Sequence, residues 1–150
     1  MTEKPIFWPK VAYVPGKTAR PADGAFDAIR QTACAGMAPP DLAQSEAMRH
    51  GYAYLEAGYF WEAHEVLEAV WMALPEGSPE RRFVQGVIQV ANGRLKLRMD
   101  WPKAAGRLHM MAAALLEAGP VAPNPAFQPQ RAEMALAELG EAIFLQYNAN

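Results

Sequence analysis

The sequence predicts an all-α fold: an up-and-down antiparallel bundle of four to five main helices behind an extended N-terminal arm. Three observations predict it. Apolar residues recur at three- and four-residue spacing through five stretches between residues 42 and 147. A cap residue followed by a proline, a helix-start signal, stands at Ser78-Pro79 and again at Asp100-Trp101-Pro102. No alternating apolar–polar run long enough for a strand survives the count.

The chain has 150 residues, enough for one domain whose core needs no disulfide or metal staple. With 51% hydrophobic and 20% charged residues it falls in the globular range, not the disordered one. The single cysteine, Cys34, has no partner for an internal disulfide, which points to a reducing compartment. Met1 to Pro9 lacks the apolar core of a signal peptide, and no apolar run reaches bilayer length. The expected location is therefore cytoplasmic, with no membrane partner. A net charge of −2 without a long basic run argues against nucleic acid as a partner.

Residues 1–40 read as a proline-rich arm. Pro5, Pro9, Pro15 and Pro21 forbid a continuous helix there. Phe7, Trp8, Val11, Tyr13 and Val14 are too apolar for a solvated tail. The arm is expected to lie against the body or against a second subunit, which leaves a homodimer open through the arm or through exposed aromatic residues. A short helix follows, capped by Asp23, with Phe26 and Ile29 turned inward, and Pro39-Pro40 closes it. Residues 41–150 form the bundle. Asp41 caps a first long helix, Leu42 to Glu56, which Gly58 ends. The second runs from about Tyr59 to Leu74, burying Phe60, Ala63, Leu67, Val70 and Leu74. The third runs from Ser78-Pro79-Glu80 to Met99, with Val84, Ile88, Ala91 and Leu95 inward. Its glycines, Gly86 and Gly93, imply close approach by a neighbouring helix, since each costs about 1 kcal/mol relative to alanine. The fourth runs to Ala118 and buries Ala105, Leu108, Met111, Ala112 and Leu115. After a proline-rich loop, Gly119 to Pro129, a last helix spans Gln130 to Tyr147.

Gly51, Tyr54, Ala63, Leu67, Val70 and Pro75 match the small and large positions of one tetratricopeptide repeat. No clear second copy follows, so this is read as a helical hairpin of similar packing.

The chemistry-bearing residues gather on two helix faces. His64 and Glu68 lie four apart, with Glu65 one step around. Arg82, Gln85, Gln89, Asn92 and Lys96 form one face of the next helix. Two helices joined by a short loop bring these rows side by side. Buried polar groups without partners cost about 1–3 kcal/mol, so the cluster must be mutually bonded, wet or occupied. A structural reading bonds His64 and Glu68 to the glutamines and Arg82 and fixes helix register. An acid–base reading gives catalytic roles to His64, Glu65 and Glu68, with Arg82, Gln85, Gln89 and Trp71 binding a ligand. A metal reading takes His64 and Glu68 as two ligands and needs a third, for which His109 is the inward histidine. It leaves a divalent metal cofactor open without requiring one. His50 is expected on the exposed side of its helix, and Cys34 as a small buried residue.

The pattern Tyr59-Phe60-x-Glu62-Ala63-His64-Glu65-Val66-Leu67-Glu68-x-x-Trp71, followed by Arg82-Phe83-x-Gln85-Gly86-x-Ile88-Gln89-x-Ala91, resembles the family catalogued as domain of unknown function 309. The resemblance covers roughly residues 45–118. It implies an all-helical, cytoplasmic protein with no established activity, and marks His64, Glu65, Glu68, Trp71, Gln85, Gly86 and Gln89 as signature positions. It also implies a histidine near Leu95 or Lys96 in many members. Lysine stands there in this chain, which weighs against a metal.

Overall fold

The computed structural model describes residues 4–117 and 121–149. Among these the chain forms seven α-helices, one 3-10 turn and no strand. The helices are α1 (Asp27–Arg30), α2 (Pro39–Ala43), α3 (Glu46–Ala57), α4 (Phe60–Ala73), α5 (Pro79–Arg98), α6 (Pro102–Leu116) and α7 (Pro129–Tyr147). The 3-10 turn is Pro125–Phe127, just before α7. The fourth helix's expected end at Ala118, and the start of the loop at Gly119, lie outside the described residues.

Local chemistry sets most boundaries. Gly58, at φ +94°, closes α3, and the N–H of Tyr59 reaches back to the Tyr54 carbonyl at 2.8 Å. Ser78 opens α5: its Oγ accepts the Arg81 N–H at 3.1 Å, and Pro79 takes the first helical position.

Several expectations need correction. The first long helix is broken in two. Gln44 leaves the helical region and Ser45 turns extended, so the cap is Ser45, whose Oγ accepts from the Met48 N–H at 3.2 Å, and not Asp41. Pro39 and Pro40 open α2 instead of closing the helix before it, because proline's missing N–H is harmless in a first turn. Asp23 caps nothing; α1 starts after Phe26, although Phe26 and Ile29 are buried as expected. Trp101, not Asp100, sits at the start of α6, since Asp100 takes up a left-handed conformation (φ 64°) that ends α5. Met111 is exposed and Leu108 and Leu115 are only half-buried, because α6 packs chiefly against α5 and α7 and its far side meets water. Cys34 is exposed, in the irregular stretch between α1 and α2.

The core is built around α5. Val84, Ile88, Ala91 and Leu95 form a buried row, as predicted. Arg81 at the start of α5 lies over Trp71 near the end of α4, and Arg94 and Arg98 near the end of α5 lie over Phe60 at the start of α4. The two helices are therefore antiparallel. The glycines mark the tightest approaches. Gly51 of α3 meets the fully buried Leu67 of α4, which is the expected hairpin packing. Gly86 and Gly93 of α5 admit Leu116 of α6 and Leu139 of α7.

The arm lies against its own body, the first of the two expected placements. It is bonded to α3 and α4 between Lys4 and Tyr13, and Lys17 pairs with Asp100 at 2.6 Å after the α5 terminus. This docking overturns the exposed placement of His50, which is only 2% accessible beneath the arm.

Candidate functional site

Each residue of α4 turns about 100° from the last. Phe60, Ala63, Leu67 and Val70 point into the core. His64 and Trp71 stand at the edge of that stripe, with Glu68 and Glu65 further round. His64 Nε2 lies 3.3 Å from Glu68 Oε2, and Nδ1 lies 3.7 Å from Glu65 Oε1. Arg30 of α1 ties this row down: its Nη2 is 3.7 Å from Glu68 Oε1, and its Nη1 donates to the Glu65 carbonyl. The imidazole keeps 26% of its surface and the Glu68 carboxylate 41%, so the row is a wet rim, not a sealed network.

On α5, Gln85 lines an open groove of about 540 Å³, together with Trp71, Ser78, Arg81, Arg82 and Leu115. The groove runs between the end of α4, the first turns of α5 and the end of α6. Arg81 stacks 4.1 Å from the centre of the Trp71 ring, and its Nη1 lies 3.9 Å from the exposed Glu76 carboxylate. Arg82 Nη2 donates to the Ala114 carbonyl at 2.9 Å, which leaves the rest of its planar fork for other acceptors. The Trp71 indole nitrogen is buried and has no hydrogen-bond partner among the described residues.

Three of the four expected ligand-binding residues thus meet at one place: Trp71, Arg82 and Gln85. Gln89 does not line that groove. Nor does any hydrogen bond among the described residues join His64 or Glu68 to Gln85, Gln89 or Arg82. The single polar cluster expected from the sequence divides into two groups, His64-Glu65-Glu68 with Arg30, and Trp71-Arg81-Arg82-Gln85. The physical reason is that Leu67, Val70, Val84, Ile88 and Ala91 of α4 and α5 are buried in the apolar core, which leaves polar side chains its rim.

His109 lies on α6 facing α7, where a methyl added at Gly140 would stand 3.1 Å from its Nε2. Among the described residues, no three His, Cys, Asp or Glu side chains are placed to hold one metal ion, so His64, Glu68 and His109 are not assembled as a ligand set.

Sequence reasoning missed a second group. Glu62 is fully buried; its Oε2 accepts the Tyr13 N–H at 2.8 Å, and its Oε1 has no partner among the described residues. Burial pushes its carboxyl above the ordinary value. His50, Tyr54 and Tyr59 contact the arm's main chain alongside it. A signal for Glu62 existed: it shares a helical row with Val66 and Ala69, both buried.

No curated protein and no solved structure matches the chain. Residues 48–108, from α3 into α6, match the family model described as Domain of unknown function (DUF309).

Proposed function

We propose that this chain binds a small organic anion in the groove between α4, α5 and α6. Arg82 and Gln85 hold its acidic group, and Trp71 supplies an apolar wall. The observation that carries this reading is the convergence of two guanidinium groups, an amide and an indole on one open cavity, with the exposed Glu76 as the only carboxylate along it among the described residues. A volume of about 540 Å³ suits a small molecule. Arginine's fork matches carboxylate and phosphate oxygens, and Arg81 is already held in place over the ring. Titrating the full chain with phenyl phosphate and with benzoate, while following tryptophan fluorescence, tests the reading. Saturable quenching that disappears in Trp71→Phe and weakens at least tenfold in Arg82→Gln is the expected result. The tenfold figure corresponds to the loss of about 1.4 kcal/mol, the low end of a charge-assisted hydrogen bond. Quenching that is absent, or unchanged in Arg82→Gln, contradicts it.

A second reading places acid–base chemistry on His64, with Glu65 and Glu68 orienting the ring; the 3.3 Å approach of Glu68 supports it. Under this reading the row serves chemistry and not packing, so His64→Ala leaves the thermal melt unchanged. A lower melting temperature in His64→Ala instead gives His64, Glu68 and Arg30 the packing role of a structural module.

A further inference from the structure

Residues 7–13 cross α3 and α4, and side chains of the body meet their main chain. His50 Nε2 accepts the Phe7 N–H at 3.1 Å, and the Tyr54 hydroxyl donates to the Phe7 carbonyl at 2.5 Å. The Tyr59 hydroxyl donates to the Pro9 carbonyl at 3.2 Å, and Glu62 Oε2 accepts the Tyr13 N–H at 2.8 Å. Trp8 packs its ring against Tyr54 and Tyr59, with centroids 5.7 and 5.5 Å away.

The state of His50 follows from its neighbours. Its Nδ1 lies 2.7 Å from the Glu46 carbonyl, which only accepts. Nδ1 therefore carries the proton, and Nε2 offers a lone pair to Phe7. A second proton on the ring has to go to Nε2, where it meets the Phe7 N–H donor to donor. We propose that residues 4–14 are a strap docked in a cleft that reads peptide main chain, and that protonation of His50 releases the strap's leading end.

The charged groups acting on the imidazole are Glu46 and Arg49 on α3. Lys4 on the strap pairs with Glu46 at 3.5 Å, and the Lys4 carbonyl accepts from Arg49 at 2.6 Å. Glu62 of α4 acts on Tyr54, further along the strap. Burial, with the Arg49 charge acting in the same direction, outweighs the Glu46 carbonyl and carboxylate and holds the docked imidazole below its ordinary value. The docked strap therefore binds fewer protons than the free one. Docking is full above about pH 6.5 and weakens about tenfold for each pH unit below it, until the docked ring itself titrates.

Backbone amide exchange of Phe7 in the full chain, expressed as protection relative to the intrinsic rate, tests this between neutral and mildly acidic pH. Constant protection above the ordinary histidine value and a tenfold fall per pH unit below it is the expected result. In His50→Gln, which keeps a carbonyl acceptor but cannot titrate, the profile is flat. Flat protection in the wild type, or an equal fall in His50→Gln, overturns the proposal. Should the variant not fold, nitrogen shifts of the wild-type imidazole at neutral pH decide independently: a proton on Nδ1 supports the latch, and a proton on Nε2 overturns it.

Discussion

Three glycine-to-alanine substitutions separate packing from helix propensity. In a helix interior, alanine is favoured over glycine by about 1 kcal/mol. At Gly106 in α6 an added methyl meets nothing within 4 Å, so Gly106→Ala stabilises by about 0.5–1 kcal/mol. At Gly86 in α5 the methyl would stand 2.8 Å from both Cγ and Cδ2 of Leu116, and 3.2 Å from Cβ of Leu115. A Cβ atom moves only if its backbone moves, so α6 itself has to shift. Overpacking of this kind costs about 1–3 kcal/mol, which leaves a net loss of roughly 0–2 kcal/mol after the propensity gain. At Gly51 the methyl collides with Leu67, a fully buried side chain with nowhere to go, and the loss is about 2 kcal/mol. For a domain of this size, 1 kcal/mol moves the melting temperature by about 2–4 °C. Thermal melts followed by far-UV circular dichroism should therefore rise for Gly106→Ala, fall by several degrees for Gly51→Ala, and place Gly86→Ala between them. Equal stabilisation by all three would refute the close approaches around α3, α4, α5 and α6.

Two further outcomes follow from buried polar groups. Because burial raises the Glu62 carboxyl, its contribution to stability is present below the ordinary value of 4.5 and is lost as pH rises through the raised one. Glu62→Gln keeps an acceptor for the Tyr13 N–H but not the titration, so its unfolding free energy from urea melts should climb relative to wild type as pH rises; parallel profiles would contradict this. The buried Tyr52 hydroxyl donates to the Phe127 carbonyl at 2.6 Å, joining α3 to the 3-10 turn. Tyr52→Phe should cost about 1–3 kcal/mol by leaving that carbonyl unpaired, and an unchanged urea midpoint would show that the turn is held by other contacts.

Helices were legible where a pattern repeats within one element. The inward row of α5, the prolines that open α5 and α6, and the tight positions Gly51, Gly86 and Gly93 all follow from local spacing. What was not legible depends on partners distant in the chain. His50 lies on a polar-looking face of α3 and is covered there by the arm, where Phe7, 43 residues earlier, bonds its ring. Glu62 is covered in the same way by Tyr13. The break at Gln44 and Ser45 lacks glycine and proline, the usual signals, so the apolar pattern runs through it unbroken. For the site, spacing located the angular positions of His64, Glu68, Gln85 and Gln89 on their own helices. It did not reveal which neighbour each would face: Glu68 turns to Arg30 of α1, and Arg82 turns to the end of α6.

The measurement that bears most directly on the anion-binding groove is amide and indole chemical-shift mapping of the full chain with phenyl phosphate. Saturable shifts of the Trp71 indole N–H, the Gln85 side-chain amide and the Arg82 guanidinium, with His109 and Gly140 unmoved, are predicted. Shifts that leave Trp71 and Gln85 untouched, or that never saturate, would contradict the assignment of this groove as the ligand site.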